Sequence, residues 1–130
     1  MSDPVSPVFP MFYEMGMGID LVGEDMTKAA QRAVREAINR TSLPGITHLV
    51  PGGDRANMRV QVTVAVPRPA EVDADAVAAE FPYGTVDVTA VEGGIRTPNG
   101  TDYGPERDHL IGALVVIAVG ALDASAPTGH

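Results

Sequence analysis

Met11-Phe12-Tyr13-Glu14-Met15-Gly16-Met17-Gly18-Ile19 alternates. One parity is Met11, Tyr13, Met15, Met17 and Ile19; the other is Phe12, Glu14, Gly16 and Gly18. Met58 to Val66 repeats the pattern, with Met58, Val60, Val62, Val64 and Val66 against Arg59, Gln61, Thr63 and Ala65. Side chains two residues apart share a face of a strand, so both stretches are predicted to be strands of a sheet with two differently built faces. The apolar parities are expected to anchor the core. The face carrying Glu14, Gly16, Gly18, Gln61 and Thr63 is expected to be open, suited to a partner subunit, trapped water or a ligand.

Between these strands lies a helix, predicted over Met26 to Arg40. Met26, Ala30, Ala33, Val34, Ala37 and Ile38 form its apolar stripe, Asp25 suits the N-cap, and Leu43-Pro44-Gly45 ends it. Four alanines, Ala29, Ala30, Ala33 and Ala37, let it lie close to a sheet. Residues 47–57 read as an irregular connection. Glu71 to Glu80 reads as a short helix and Pro82-Tyr83-Gly84 as a turn. Thr85 to Val91 is a third strand, Arg96 to His109 a polar segment with its turn signal at Pro98-Asn99-Gly100, and Leu110 to Leu122 a buried fourth strand. The order β-α-β-α-β-β predicts an α+β fold, a four-stranded sheet with two helices on one face. Residues 1–8 are expected to be a flexible arm, 9–122 a single domain and 123–130 a flexible tail.

Two helices cover only one face of such a sheet. Glycines on a solvated face have no evident purpose, whereas a close neighbour explains them. A homotrimer is therefore expected, a pseudo-barrel with sheets inside and helices outside. The alternative is a monomer whose second face is solvated.

Composition excludes several classes. The net charge is −8, with one lysine and eight arginines, and there is no tryptophan. Such a chain is a poor nucleic-acid binder and has no basic patch for anionic lipid. It has no cysteine, hence neither disulfides nor a thiolate metal site. Residues 1–10 lack the basic and apolar regions of a signal peptide, and Leu110 to Leu122 is too short to span a bilayer. A soluble, cytoplasmic protein is expected, with no cofactor.

Three stretches carry a resemblance: Met11 to Asp20 (MFYEMGMGID), Thr27 to Ile38 (TKAAQRAVREAI) and Phe81 to Gly94 (FPYGTVDVTAVEGG). Together they resemble a small bacterial family of conserved hypothetical proteins with no established activity. More weakly, Ala29 to Ile38, Val60 to Pro67 and Val86 to Gly94 resemble one repeat of the ring-opening amidohydrolases, cyanuric acid hydrolase and barbiturase. Those enzymes resemble three concatenated repeats about a pseudo-threefold axis, so a single-repeat chain implies a homotrimer. The family's catalytic serine and lysine would fall at Glu92 and Ala65, the lone lysine is Lys28, and no serine occurs between Ser42 and Ser125. The Ser–Lys dyad is absent from the matching places, and its activity does not carry over.

Two carboxylates are the candidate catalytic residues. Glu92 precedes Gly93 and Gly94, whose backbone N–H groups suit an oxyanion or amide site; a plain turn with a solvated glutamate is the alternative. Glu14, mid-strand, must pair or raise its pKa if buried, with Arg59 or Arg96 as partner; an ion pair across the subunit interface is the alternative. Thr63, Gly93, Gly94, Arg96 and Lys28 are candidate ligand contacts, Lys28 at the helix N-terminus also reading as solvated surface. Gly16 and Gly18 lack the third glycine of a dinucleotide loop. His48, His109 and His130 lack metal-ligand spacing. The polar segment 96–109 reads as a lid or as a flexible tip. The expected function is binding of a small polar, amide- or imide-like molecule at the subunit interfaces. The alternatives are a hydrolase or isomerase with Glu92 or Glu14 as base, and a structural oligomer without ligand.

Overall fold

A computed structural model describes residues 8–122; the expected arm up to residue 7 and the tail from 123 lie outside the described residues. The elements are β1 (Val8–Asp20), α1 (Met26–Arg40), β2 (Arg59–Val66), α2 (Ala74–Ala78), β3 (Thr85–Glu92), β4 (Ile95–Pro98) and β5 (His109–Leu122). Short 3-10 turns fill most of residues 46–57, and another precedes α2.

The fold is α+β, with a mixed sheet ordered β1-β5-β2-β3. β5 is central, antiparallel to β1 and to β2, and β2 runs parallel to β3. The sheet has five strands rather than the expected four. Ile95 to Pro98, of which Arg96 onward reads in the sequence as a polar connection, pairs antiparallel with His109 to Gly112 beyond the point where β2 leaves β5. The glycine pair ahead of it makes this possible. Gly94 has φ +65°, and a Cβ there would sit 2.3 Å from the Gly112 carbonyl oxygen. The chain can thus pass close over β2 and join β5.

α1 forms where the spacing predicts it. Asp25 caps it by accepting the Lys28 backbone N–H at 2.9 Å. Ala29, Ala30, Ala33, Val34 and Ala37 are wholly buried against the sheet. The second helix is shorter than expected, a five-residue α2 after a 3-10 turn at Pro69–Glu71. Asp73 caps it, and the Thr27 hydroxyl of α1 accepts the Asp73 N–H at 2.9 Å, docking the helices together.

One expectation is reversed. Gly16 and Gly18 do not face outward; they lie directly beneath α1 with Phe12, Glu14 and the buried Asp20. Tyr13, Met15, Met17 and Ile19, expected in the core, occupy the open face. The helix stripe is built of alanine, and small residues beneath it let the backbones approach; a strand presenting methionines there would hold the helix off. β2 follows its expected parity, with Val60, Val62, Val64 and Val66 buried under the helices and Gln61 and Thr63 outside. The glycines, which were the ground for a trimer, are explained by α1.

Candidate functional site

Among the described residues, Glu14 is the carboxylate that the fold sets beside a largely apolar cavity. It sits on the helix face of β1, opposite Ile117 of β5 and level with the last turn of α1. The cavity, about 110 Å3, is walled by Ile38 of α1, Leu43 and Ile46 just after it, Met58 and Val60 of β2, and Phe81, Pro82 and Tyr83 ahead of β3. The wall from Phe81 to Tyr83 is held by local geometry. Gly84 turns at φ +93°, a Cβ there would lie 2.8 Å from the Met58 carbonyl oxygen, and the Thr85 N–H donates to that same oxygen at 2.9 Å. The Arg55 guanidinium lies 5.5 Å from the Tyr83 ring centroid, bracing the outer wall.

Burial pushes the Glu14 carboxyl above its ordinary value, against the opposing pull of the Thr41 hydroxyl and then of the Arg40 charge. Both opposing groups are engaged elsewhere. Thr41 Oγ1 donates to the Ala37 carbonyl at 2.9 Å. Arg40 pairs with Glu36 and donates to the Met15 carbonyl. Among the described residues no cation forms an ion pair with Glu14. The arginines expected to do so lie apart: Arg59 pairs with Asp87 at 3.6 Å, and Arg96 with Glu24.

Glu24 is the opposite case. It has a positive φ of 49°, and two guanidinium groups converge on it. Arg96 approaches with Nε at 2.7 Å and Nη2 at 3.2 Å, one nitrogen to each carboxylate oxygen; Arg68 Nη1 lies at 3.1 Å. Arg96 first, then Arg68, hold the carboxyl down to about 2. This clasp ties the approach to α1, the start of the α2 turn and β4 together. Arg68 Nε also meets Glu71 Oε2 at 2.6 Å, so the two cations are matched by two carboxylates and the cluster reads as structural. Asp20 plays a related part, accepting the Asp25 N–H at 2.8 Å.

The other residues singled out in the sequence are dispersed. Glu92 is exposed at the end of β3, an edge strand separated from β1 by β5 and β2. The Gly93 N–H donates to the Val66 carbonyl at 3.0 Å, which removes it from any oxyanion site. Thr63 is exposed on the open face, and Lys28 in the first turn of α1. Segment 96–109 is β4 followed by a loop that Asn99 pins, its side chain donating to the Leu21 and Arg107 carbonyls. A second, larger cavity, about 630 Å3, opens beside Met17, Ile19, Ile95, Leu110 and Leu114. It is apolar save for Arg32, whose guanidinium is spent on Ile19 and Asp20. Among the described residues no three His, Asp or Glu side chains converge to hold a metal ion, and no helix is long and apolar enough to cross a membrane.

A family model described as a conserved hypothetical protein, Lin0512_fam, matches residues 10–123. The chain belongs to this family. It is the family of conserved hypothetical proteins that residues 11–20, 27–38 and 81–94 resemble. A crystal structure from Nostoc punctiforme PCC 73102, described as an FtsZ-like protein of unknown function, is similar to this Lin0512-family chain. The two share 33% identity over 91% of this chain and 99% of that one, with a TM-score of 0.79. The comparison with curated proteins found no match. In this Lin0512-family fold, parts of all three stretches meet at one place: Glu14, Ile38 and Phe81 to Tyr83 all wall the smaller cavity.

Proposed function

We propose that this protein binds a compact small molecule in the Glu14 cavity, with the carboxyl accepting a hydrogen bond from an amide- or imide-like N–H and the apolar walls enclosing the rest. The observation that carries this reading is a carboxylate beside a largely apolar cavity that, among the described residues, no cation meets in an ion pair. The Thr41 hydroxyl and the Arg40 charge offset only part of its desolvation, and a ligand N–H would supply more. The volume, 110 Å3, is roughly that of three or four liquid waters and suits one small ring. It is well below the ~300 Å3 of pockets that take drug-sized ligands. Nucleotide-sized molecules are therefore poor candidates, and Gly16 and Gly18, covered by α1, cannot cradle a phosphate.

The upward pKa of Glu14 favours a second reading, in which the same ligand is a substrate and Glu14 takes or gives a proton as a hydrolase or isomerase would require. Thermal-shift screening against cyclic amides, imides and carboxylates, repeated on Glu14→Gln, separates the possibilities. Binding predicts that some cyclic amide or imide raises the melting temperature of the wild type, with affinity in the variant about tenfold weaker, the size of one charge-assisted hydrogen bond. Catalysis adds turnover that the variant loses by about a hundredfold. No shift from any of these compounds, or equal shifts in both proteins, overturns the assignment to Glu14.

A further inference from the structure

The sheet face opposite the helices is built as a contact surface. Tyr13 and Met17 on β1 are 70% and 69% exposed, and Met15 and Ile19 stand between and beyond them. The rows across the sheet run Met15–Val116–Thr63–Thr89 and Met17–Leu114–Ala65–Val91. The β1–β5 half is thus apolar and the β2–β3 half uncharged apart from Asp87, which Arg59 neutralises at 3.6 Å. The larger apolar cavity opens onto the same half. Contiguous apolar patches of this kind mark interaction sites.

β1 is an edge strand, yet its edge is partly occupied between Met15 and Ile19. The Met17 N–H donates to Glu36 Oε1 at 3.0 Å, Arg32 Nη1 donates to the Ile19 carbonyl at 2.7 Å, and Arg40 donates to the Met15 carbonyl. Three side chains of α1 take three of the backbone groups that an added strand would use between Met15 and Ile19, a known device against edge-to-edge pairing. This favours contact through the face of β1 over contact through its edge.

We infer that this face is covered by a second copy of the chain, packed sheet against sheet through Tyr13, Met15, Met17, Leu114 and Val116. Charge argues for a copy. The chain carries −8, so most of its surfaces repel one another, while this face bears one neutralised pair. Area argues the same way. Eight residues along four strands span roughly 27 Å by 19 Å, about 500 Å2 in projection before side-chain relief is counted. That is on the order of the roughly 800 Å2 of accessible surface per partner that a stable interface buries. The Glu14 cavity lies on the other side of the sheet, so the two proposals stand or fall separately.

Sedimentation equilibrium of the full chain at micromolar concentrations tests it. The wild type is expected to run as a multiple of the chain. Met15→Glu combined with Met17→Glu should run as a single chain with an unchanged far-UV spectrum, its dissociation constant raised at least about a hundredfold by charges placed at the centre of the contact. Tyr13→Ser alone should weaken the assembly and serves where the double variant does not fold, while Lys28→Glu, on the helix side, should leave it unchanged. A wild type that stays a single chain, or an assembly that survives both the double variant and Tyr13→Ser, overturns the inference.

Discussion

Gly16 lies so close beneath Ala33 that a Cβ on the glycine would stand 2.2 Å from the Ala33 carbonyl oxygen. Gly18 is held as tightly, 2.3 Å from the Ala33 nitrogen and 2.5 Å from the Ala29 oxygen by the same measure. The atoms in the way are helix backbone, which cannot rotate aside. This contact sets the distance of α1 from the sheet and decides which face of β1 is inside.

Gly18→Ala is accordingly expected to cost about 3 kcal/mol or more, the upper end of overpacking penalties, because α1 must lift to admit one methyl group. Chemical denaturation measures it. A loss below about 0.5 kcal/mol, the usual size of an exposed substitution, would mean that the helix does not rest on this glycine.

Ala33→Leu should cost roughly 1–3 kcal/mol for the same reason, since Ala33 is wholly buried between the helix and the two glycines. Arg32→Ala, one residue away and exposed, should change global stability by less than about 1 kcal/mol. Equal losses for the two would contradict the burial of the alanine stripe.

α1 was legible because its evidence is local: Asp25 as cap, alanines at helical spacing, Pro44 and Gly45 after the end. β2 was legible because its valines alternate with polar residues. β1 was not, because period-2 alternation shows that Met15 and Met17 share a face and is silent on which face that is. Assigning the more apolar parity inward is sound against an ordinary helix and fails against an alanine stripe, which needs glycine opposite it. β4 was missed because four residues with a proline carry no periodicity, and their pairing depends on Gly94. Glu14 was picked out as a mid-strand carboxylate, but its walls were not, since Pro82-Tyr83-Gly84 read only as a turn. The Glu24 clasp escaped because its arginines lie 44 and 72 residues away in the chain.

The Glu24 clasp carries a pH dependence. Its folded carboxyl is depressed from 4.5 to about 2, so the folded state binds that proton less readily than the unfolded chain. The stability it contributes is present above about 4.5 and is lost as pH falls through about 2. Glu24→Gln should lower the melting temperature at pH 7 and flatten the dependence across this window. Parallel melting curves for wild type and variant from neutral pH to pH 2 would remove the clasp from the account.

Glu14 carries the opposite sign. Its folded carboxyl is raised, so its contribution is fully present below 4.5 and is lost as pH rises through the folded value. Glu14→Gln should therefore equal or exceed the wild type in stability at neutral pH, with the advantage gone in acid. A variant less stable than the wild type at neutral pH would show that the carboxylate is already paired in the folded protein.

Glu14 is proposed to await an N–H donor in its small cavity. An NMR titration of the Glu14 side-chain carboxyl, without ligand and with a cyclic amide or imide found by screening, tests it most directly. The midpoint is expected above 4.5 in the free protein and lower in the complex, because an N–H donor favours the charged form. A free-protein midpoint at or below 4.5, or a midpoint that no amide or imide moves, would contradict it.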